Sequence, residues 1–257
     1  MVGKSRSREG LRADQDAYGE ILLALSEGRE AEEIMERDDG LIYSGNPSDY
    51  VAPYARWPSL EKKAMRFVRG RVLDVGCGAG RARLHLQEHG HEVMAIDSSP
   101  LAVRVARKRG VRNAKVLSLA DIDESLGVFD TVLVLRNTFG LVGTEAGARR
   151  LLRRLHALTS DGARIITDSS ERDKDPAWRA YRSRRGGRGR PVAQRVRVRW
   201  RNYATPWFHY LMFSPSDLER LVDETGWHIH RLLEDDSSRF VAILESDGGV
   251  LAPGSAQ

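Results

Sequence analysis

The residues Val72-Leu73-Asp74-Val75-Gly76-Cys77-Gly78-Ala79-Gly80-Arg81 run from an apolar stretch into a turn with glycine at every second position. A short apolar run bounded by glycine reads as a buried strand, and helical periodicity follows it as far as Gly90. Gly76 and Gly78 have no Cβ, so the backbone can reverse tightly at the carboxyl end of the strand and let a ligand approach closely. A second apolar run, Val93-Met94-Ala95-Ile96, ends in Asp97. A carboxylate at the tip of the neighbouring strand is placed to accept hydrogen bonds from ribose hydroxyls.

The spacing separates the adenosine-containing ligands. The nicotinamide fingerprint puts two residues before its third glycine, so that a diphosphate sits on the helix N-terminus. Here Gly80 comes one residue early and Arg81 stands in that place. A phosphate-binding Gly-Lys-Ser/Thr loop is absent. The segment resembles motif I of the class I S-adenosylmethionine-dependent methyltransferases, with Asp97 as the acidic end of their second strand. The resemblance implies S-adenosyl-L-methionine as cofactor.

The order of elements also resembles that family across roughly residues 59–245. Ser59 opens a helix to Val68, and strand then alternates with helix: Val72–Val75, Arg81–His89, Glu92–Ile96 and Pro100–Arg109. Ser99-Pro100 supplies an N-cap with proline behind it, and Gly90 and Gly110 close the two helices. Strands at Lys115–Leu119, Thr131–Leu135 and Arg164–Asp168 surround a helix over Thr144–Leu158. Such alternation predicts an α/β fold, doubly wound, with a mostly parallel seven-stranded sheet and helices on both faces. Ser214-Pro215-Ser216-Asp217 caps a further helix, and a last hairpin joins Trp227–Leu233 to Arg239–Leu244.

Two additions flank this core. Leu11–Ser26 and Arg29–Glu36 read as amphipathic helices, so residues 11–58 are expected to form an N-terminal helical lid. Arg195-Val196-Arg197-Val198-Arg199-Trp200 alternates with period two, and Trp207–Phe213 can return antiparallel to it. An inserted Arg-rich hairpin over about 176–213 follows, inside a methyltransferase domain of 59–246. Residues 1–10 are expected to be disordered and 247–257 a flexible tail.

Charge is local. Ten arginines and no acidic residue lie between Asp175 and Asp217, so the rest of the chain is net acidic although the whole carries +5. The single Cys77 excludes a disulfide framework and a Cys/His metal cluster, and no metal is expected. No apolar run approaches a membrane span, and the polar start carries no signal region, so a cytoplasmic location is expected.

Within the resemblance, Gly76, Cys77, Gly78 and Gly80 lie beneath the methionine part of the cofactor, with Asp74 near its ammonium group. Asp97 is the ribose ligand and Ser98 flanks the adenine. Ala120-Asp121 follows the third strand, where family members present an acidic residue to the adenine amine; Asp123 is the alternative. Arg136 and Asn137 end the fourth strand, where ligands bind in open sheets. Asn137-Thr138-Phe139 resembles the turn of small-molecule N-methyltransferases, and a backbone-capping asparagine is the plainer reading.

His209, in the aromatic strand of the lid, is the histidine suited to act as a base. Asn137, as a catalytic residue, and one of Tyr43, Tyr50 or Tyr54, with Arg136, Trp207 and Arg199, are expected near the acceptor. The expected function is methyl transfer to nitrogen or oxygen of a small acceptor, with an anionic group matched to the arginines. Nucleic acid is the less favoured partner. An RNA or peptide methyltransferase and a non-catalytic cofactor-binding subunit are the alternatives.

Overall fold

The computed structural model describes residues 11–170, 176–185, 191–236 and 239–248. The expectations for residues 1–10, for positions 186–190 of the Arg-rich insertion and for the tail from 249 onward lie outside them. In chain order the elements are α1 (Ala17–Ser26), β1 (Glu33–Arg37), β2 (Ile42–Gly45), α2 (Ser59–Met65), β3 (Val72–Val75), α3 (Arg81–Glu88), β4 (Val93–Asp97), α4 (Pro100–Lys108), β5 (Ala114–Val116) and β6 (Phe129–Val134). There follow α5 (Glu145–Ala157), β7 (Thr159–Ser170), α6 (Pro176–Arg184), β8 (Val192–Trp200), β9 (Tyr203–Ala204), β10 (Phe208–Met212), α7 (Pro215–Val222), β11 (Trp227–Glu234) and β12 (Arg239–Ser246).

Seven strands form one sheet in the order β11-β12-β7-β6-β3-β4-β5. The five strands from β7 to β5 are parallel, and β12 runs antiparallel to both its neighbours. Every residue of β3 and β4 is buried, as expected where helices cover both faces. Leu73, Val75, Val132, Val134 and Ile165 pack against Leu151, Leu152 and Leu155 of α5 and Leu218 of α7. The alternate residues Val72, Val93, Leu133 and Ile166 meet Leu60 and Ala64 of α2 and Leu86 of α3.

The local signals produce the helix ends. Ser99 accepts from the Ala102 amide at 2.9 Å with Pro100 behind it, and Ser214 caps α7. Other boundaries differ from the sequence reading. Helix α1 starts at Ala17 rather than Leu11 because the Asp16 carboxylate caps it, accepting from Gly19 N at 3.0 Å. Pro58 takes the N-cap position of α2, leaving Ser59 inside the first turn.

The larger correction concerns the lid, which is not wholly helical. Residues expected to continue as a helix over Arg29–Glu36 instead form β1, which pairs antiparallel with β2 and with β8, Met35 lying opposite Tyr43 and Val198. Tertiary pairing overrides the helix preference of a glutamate-rich segment. The insertion carries the helix α6 before its strands, and β8 and β10 pair antiparallel, Phe208 opposite Val196. A second sheet results, ordered β10-β8-β1-β2 with β9 beside β8. It joins the N-terminal segment to the insertion.

The arginine row meets this N-terminal hairpin. Arg197 and Arg199 reach Glu36 at 2.8 and 3.3 Å, Arg184 reaches Asp39 at 2.7 Å, and Arg185 pairs with Asp38. Pairs this exposed add little stability each, but they neutralise the local charge.

Gly80, at the start of α3, has φ +76°, and a Cβ there would lie 2.4 Å from Val111 Cγ2. Gly80→Ala is therefore expected to cost about 2–4 kcal/mol, combining left-handed strain with overpacking. Urea unfolding monitored by circular dichroism measures it; an unchanged midpoint would contradict the packing described.

Candidate active site

The glycine turn lies at the carboxyl end of β3, with Gly76, Gly78 and Gly80 at φ +70°, +52° and +76°. A Cβ on Gly76 would sit 2.5 Å from Thr138 Cγ2, so the turn from β3 and the turn after β6 touch with no room to spare. The Asp97 carboxylate holds the arrangement. Its Oδ2 accepts from Gly78 N at 2.8 Å and its Oδ1 from Ser99 N at 2.9 Å. Ser99 Oγ donates to Asp16 at 2.8 Å, so the same cluster anchors α1. Gly19 lets α1 approach, since a Cβ there would stand 2.5 Å from Ser99 Oγ.

A cavity of about 630 Å³ opens above the turn. Asp74, Gly76, Cys77, Gly78, Asp97 and Ser98 line one part of it. Asp74 is fully enclosed, and its Oδ2 has no hydrogen-bond partner. Burial pushes its carboxyl up to about 7, Arg83 opposing and the Asp97 charge adding. Burial also raises the Asp97 carboxyl and, strongly, the Cys77 thiol, which makes Cys77 a wall residue rather than a nucleophile.

Beside the turn, Arg81 also lines the cavity. Its guanidinium stacks on Trp57 at 4.2 Å and pairs with the buried Glu61, while Nη1 has no partner. Arg136 lines the cavity too and shares Glu61 at 3.3 Å with Asp49 at 3.5 Å. Arg136 and Asn137 both have positive φ, +61° and +54°, in a turn held by Asp168 Oδ1, which accepts from Asn137 N at 2.7 Å.

Several sequence candidates sit elsewhere. Asn137 directs its amide Nδ2 to Met212 Sδ at 3.4 Å and is not a lining residue. Ala120 lines the cavity beside Ser118, whereas Asp121 is exposed outside it and Asp123 bonds Ser125. Of the three tyrosines only Tyr50 lines it; Tyr43 lies on β2, and Tyr54 stacks on His85 with ring centroids 3.9 Å apart. Arg199 faces outward to Glu36. Trp207 lies under Arg195 and Arg197 on that outer side, and His209 is exposed there, packed against Gly143.

The inner face of the second sheet brings other residues in: Glu33, Met35, Val198, Phe208 and Tyr210. Tyr18 of α1 and Tyr50 join them, ring centroids 5.2 Å apart, and Tyr50 donates to Glu33 Oε2 at 2.9 Å. Sequence reasoning missed Glu33 because it placed that segment in a helix. Glu33-Ile34-Met35-Glu36 has no polar-apolar alternation, so no local signal marked it as a strand. Among the described residues no group of side chains forms a metal site, and no helix is long and apolar enough to cross a membrane.

A family profile described as a methyltransferase domain matches residues 50–232. A tRNA (uracil(54)-C(5))-methyltransferase of Pyrococcus horikoshii is 35% identical over 124 residues, 46% of this chain and 29% of that protein. A ubiquinone biosynthesis O-methyltransferase of Xanthomonas oryzae is 41% identical over 68 residues, 24% of this chain and 28% of that protein. The chain thus spans less than a third of the length of each of these two curated relatives. A crystal structure of an S-adenosylmethionine-dependent methyltransferase from Bacteroides fragilis, in complex with S-adenosyl-L-homocysteine, is 26% identical and superposes with a TM-score of 0.78, covering 93% of this chain and 98% of that one. With the glycine turn, the strand-tip Asp97 and the seven-stranded sheet, these matches make the chain a member of the class I S-adenosylmethionine-dependent methyltransferase family.

Proposed function

We propose that the protein transfers the methyl group of S-adenosylmethionine to nitrogen or oxygen of a small-molecule acceptor, in the cytoplasm. The observation that carries this reading is the roof of the cavity. The inner face of the second sheet and α1 line the same space as the glycine turn, while the arginines of β8 face the other way onto the acidic hairpin. A small molecule suits that enclosure better than an RNA strand, which needs an accessible basic track.

The residues fit the cofactor. Asp97 would accept from the ribose, Ser98, Ser118 and Ala120 would flank the adenine, and the glycine turn would lie beneath the methionine chain. Unpaired Asp74 Oδ2 and Arg81 Nη1 are suited to its ammonium and carboxylate. The bound sulfonium supplies an electrophilic methyl carbon. The protein's task is then to orient the acceptor against it and to exclude water.

Isothermal titration with S-adenosyl-L-homocysteine tests the donor half. Wild type is expected to bind, and Asp97→Ala to bind at least about tenfold more weakly, as loss of charge-assisted bonds implies. Asp121→Ala is expected to bind like wild type. Absence of heat with wild type refutes the reading, and RNA affinity falling steeply with salt would favour a nucleic-acid acceptor.

Asp74 gives a pH signature. Its folded pKa of about 7 lies above the ordinary carboxyl value of about 3.9. Protonation therefore stabilises the fold fully below the ordinary value, and this contribution disappears as pH rises through 7. A cationic ammonium beside Asp74 favours the ionised form. Cofactor binding near pH 7 is expected to release a fraction of a proton, read as a dependence of heat on buffer ionisation enthalpy. Asp74→Asn should abolish the release; its persistence would assign the proton to another group.

A further inference from the structure

Inside the cavity, the inner face of the second sheet carries one acidic side chain, Glu33, among aromatic neighbours. We infer that the acceptor is a small amine, bound in its ammonium form against the Glu33 carboxylate and between the rings of Tyr18, Tyr50, Phe208 and Tyr210. This rests on the methyl-transfer reading above and adds the chemical class of the acceptor.

Glu33 is half-buried, and Tyr50 donates to its Oε2, which leaves Oε1 for a second donor. Burial raises its carboxyl above the usual range, the Tyr50 bond and Arg136 opposing. A carboxylate withdrawn from water in this way is costly unless a cation completes it. Arg136 does not fill that role alone. Its guanidinium lies 5.1 Å from the Tyr50 ring centre and is engaged by Glu61 and Asp49. The aromatic walls act in the same sense, because ring faces attract an alkylammonium.

The tyrosines themselves stay neutral, burial raising the hydroxyls of Tyr18, Tyr50 and Tyr210. An anionic acceptor is disfavoured at this face, since Glu33 would repel it and Arg136, the cavity arginine beside Tyr50, is already paired with Glu61 and Asp49. Glu33 also supplies what an ammonium needs before it can react. Its carboxylate accepts one N–H proton; the freed nitrogen lone pair forms the N–CH3 bond, and the methyl–sulfur electron pair remains on sulfur as the neutral thioether.

Benzylamine, benzyl alcohol and benzoate share one ring and differ in the head group, so they test this assignment by calorimetry near pH 7 on protein saturated with S-adenosyl-L-homocysteine. Benzylamine is expected to bind tightest, and Glu33→Gln to weaken it by about tenfold to a hundredfold while leaving S-adenosyl-L-homocysteine binding unchanged. Equal or absent binding of the three probes, or tighter benzoate, overturns the amine assignment even if the variant fails to fold. An unchanged benzylamine Kd in a folded Glu33→Gln overturns it as well. Failure of wild type to bind S-adenosyl-L-homocysteine instead overturns the methyl-transfer reading, and the acceptor assignment falls with it.

Discussion

The carboxylate of Asp97 ties together the parts of the site that come from distant sequence. Its two oxygens accept from Gly78 in the turn after β3 and from Ser99 at the head of α4. Ser99 in turn donates to Asp16, whose carboxylate caps α1 through Gly19 N. Cofactor loop, neighbouring helix and N-terminal helix therefore hang from one chain of charge-assisted bonds, each stronger than a neutral pair. An ionised group used in this way keeps its own position while leaving acceptor capacity for a ribose.

The second constraint is the pairing of β1 with β8. It joins an acidic segment near the N-terminus to the arginine-rich insertion, and the charges that look anomalous along the sequence become partners across the sheet. Glu36, Asp38 and Asp39 all serve this contact. Of the arginines between Asp175 and Asp217, Arg184, Arg185, Arg197 and Arg199 meet acidic partners inside the molecule.

What was legible in the sequence was what local chemistry dictates. The glycine turn, Asp97, the Ser99-Pro100 cap and the alternation of apolar strands and helices each carry their geometry in a few adjacent residues. The period of two in β8 was equally plain, with the β10 segment expected to return antiparallel to it, and both strands form. Period alone does not say which face turns inward. Arg199, Trp207 and His209 belong to the outer face, while Val198, Phe208 and Tyr210, each adjacent to one of them, line the cavity. A one-residue choice exchanges the whole set. That choice is made by β1, whose own pairing depends on residues some 160 positions away and leaves no local mark.

The same reasoning explains why donor and acceptor halves differ in legibility. In the proposed reading the cofactor site rests on a tight turn whose glycines leave space and on Asp97, held in place by the Gly78 and Ser99 amides. Such requirements appear as glycines and a strand-end acid at fixed spacing. In the proposed reading acceptor recognition rests on cavity-lining side chains from α1, β1, β8 and β10, and the family match begins only at Tyr50, after Tyr18 and Glu33. A sheet assembled from both ends of the chain can change its inward side chains without disturbing the glycine turn, because the β8 and β10 ladders are made by backbone groups. On the proposed reading, the fold would hold the methyl donor by a conformational rule and leave the choice of acceptor to the few residues that face it across the cavity.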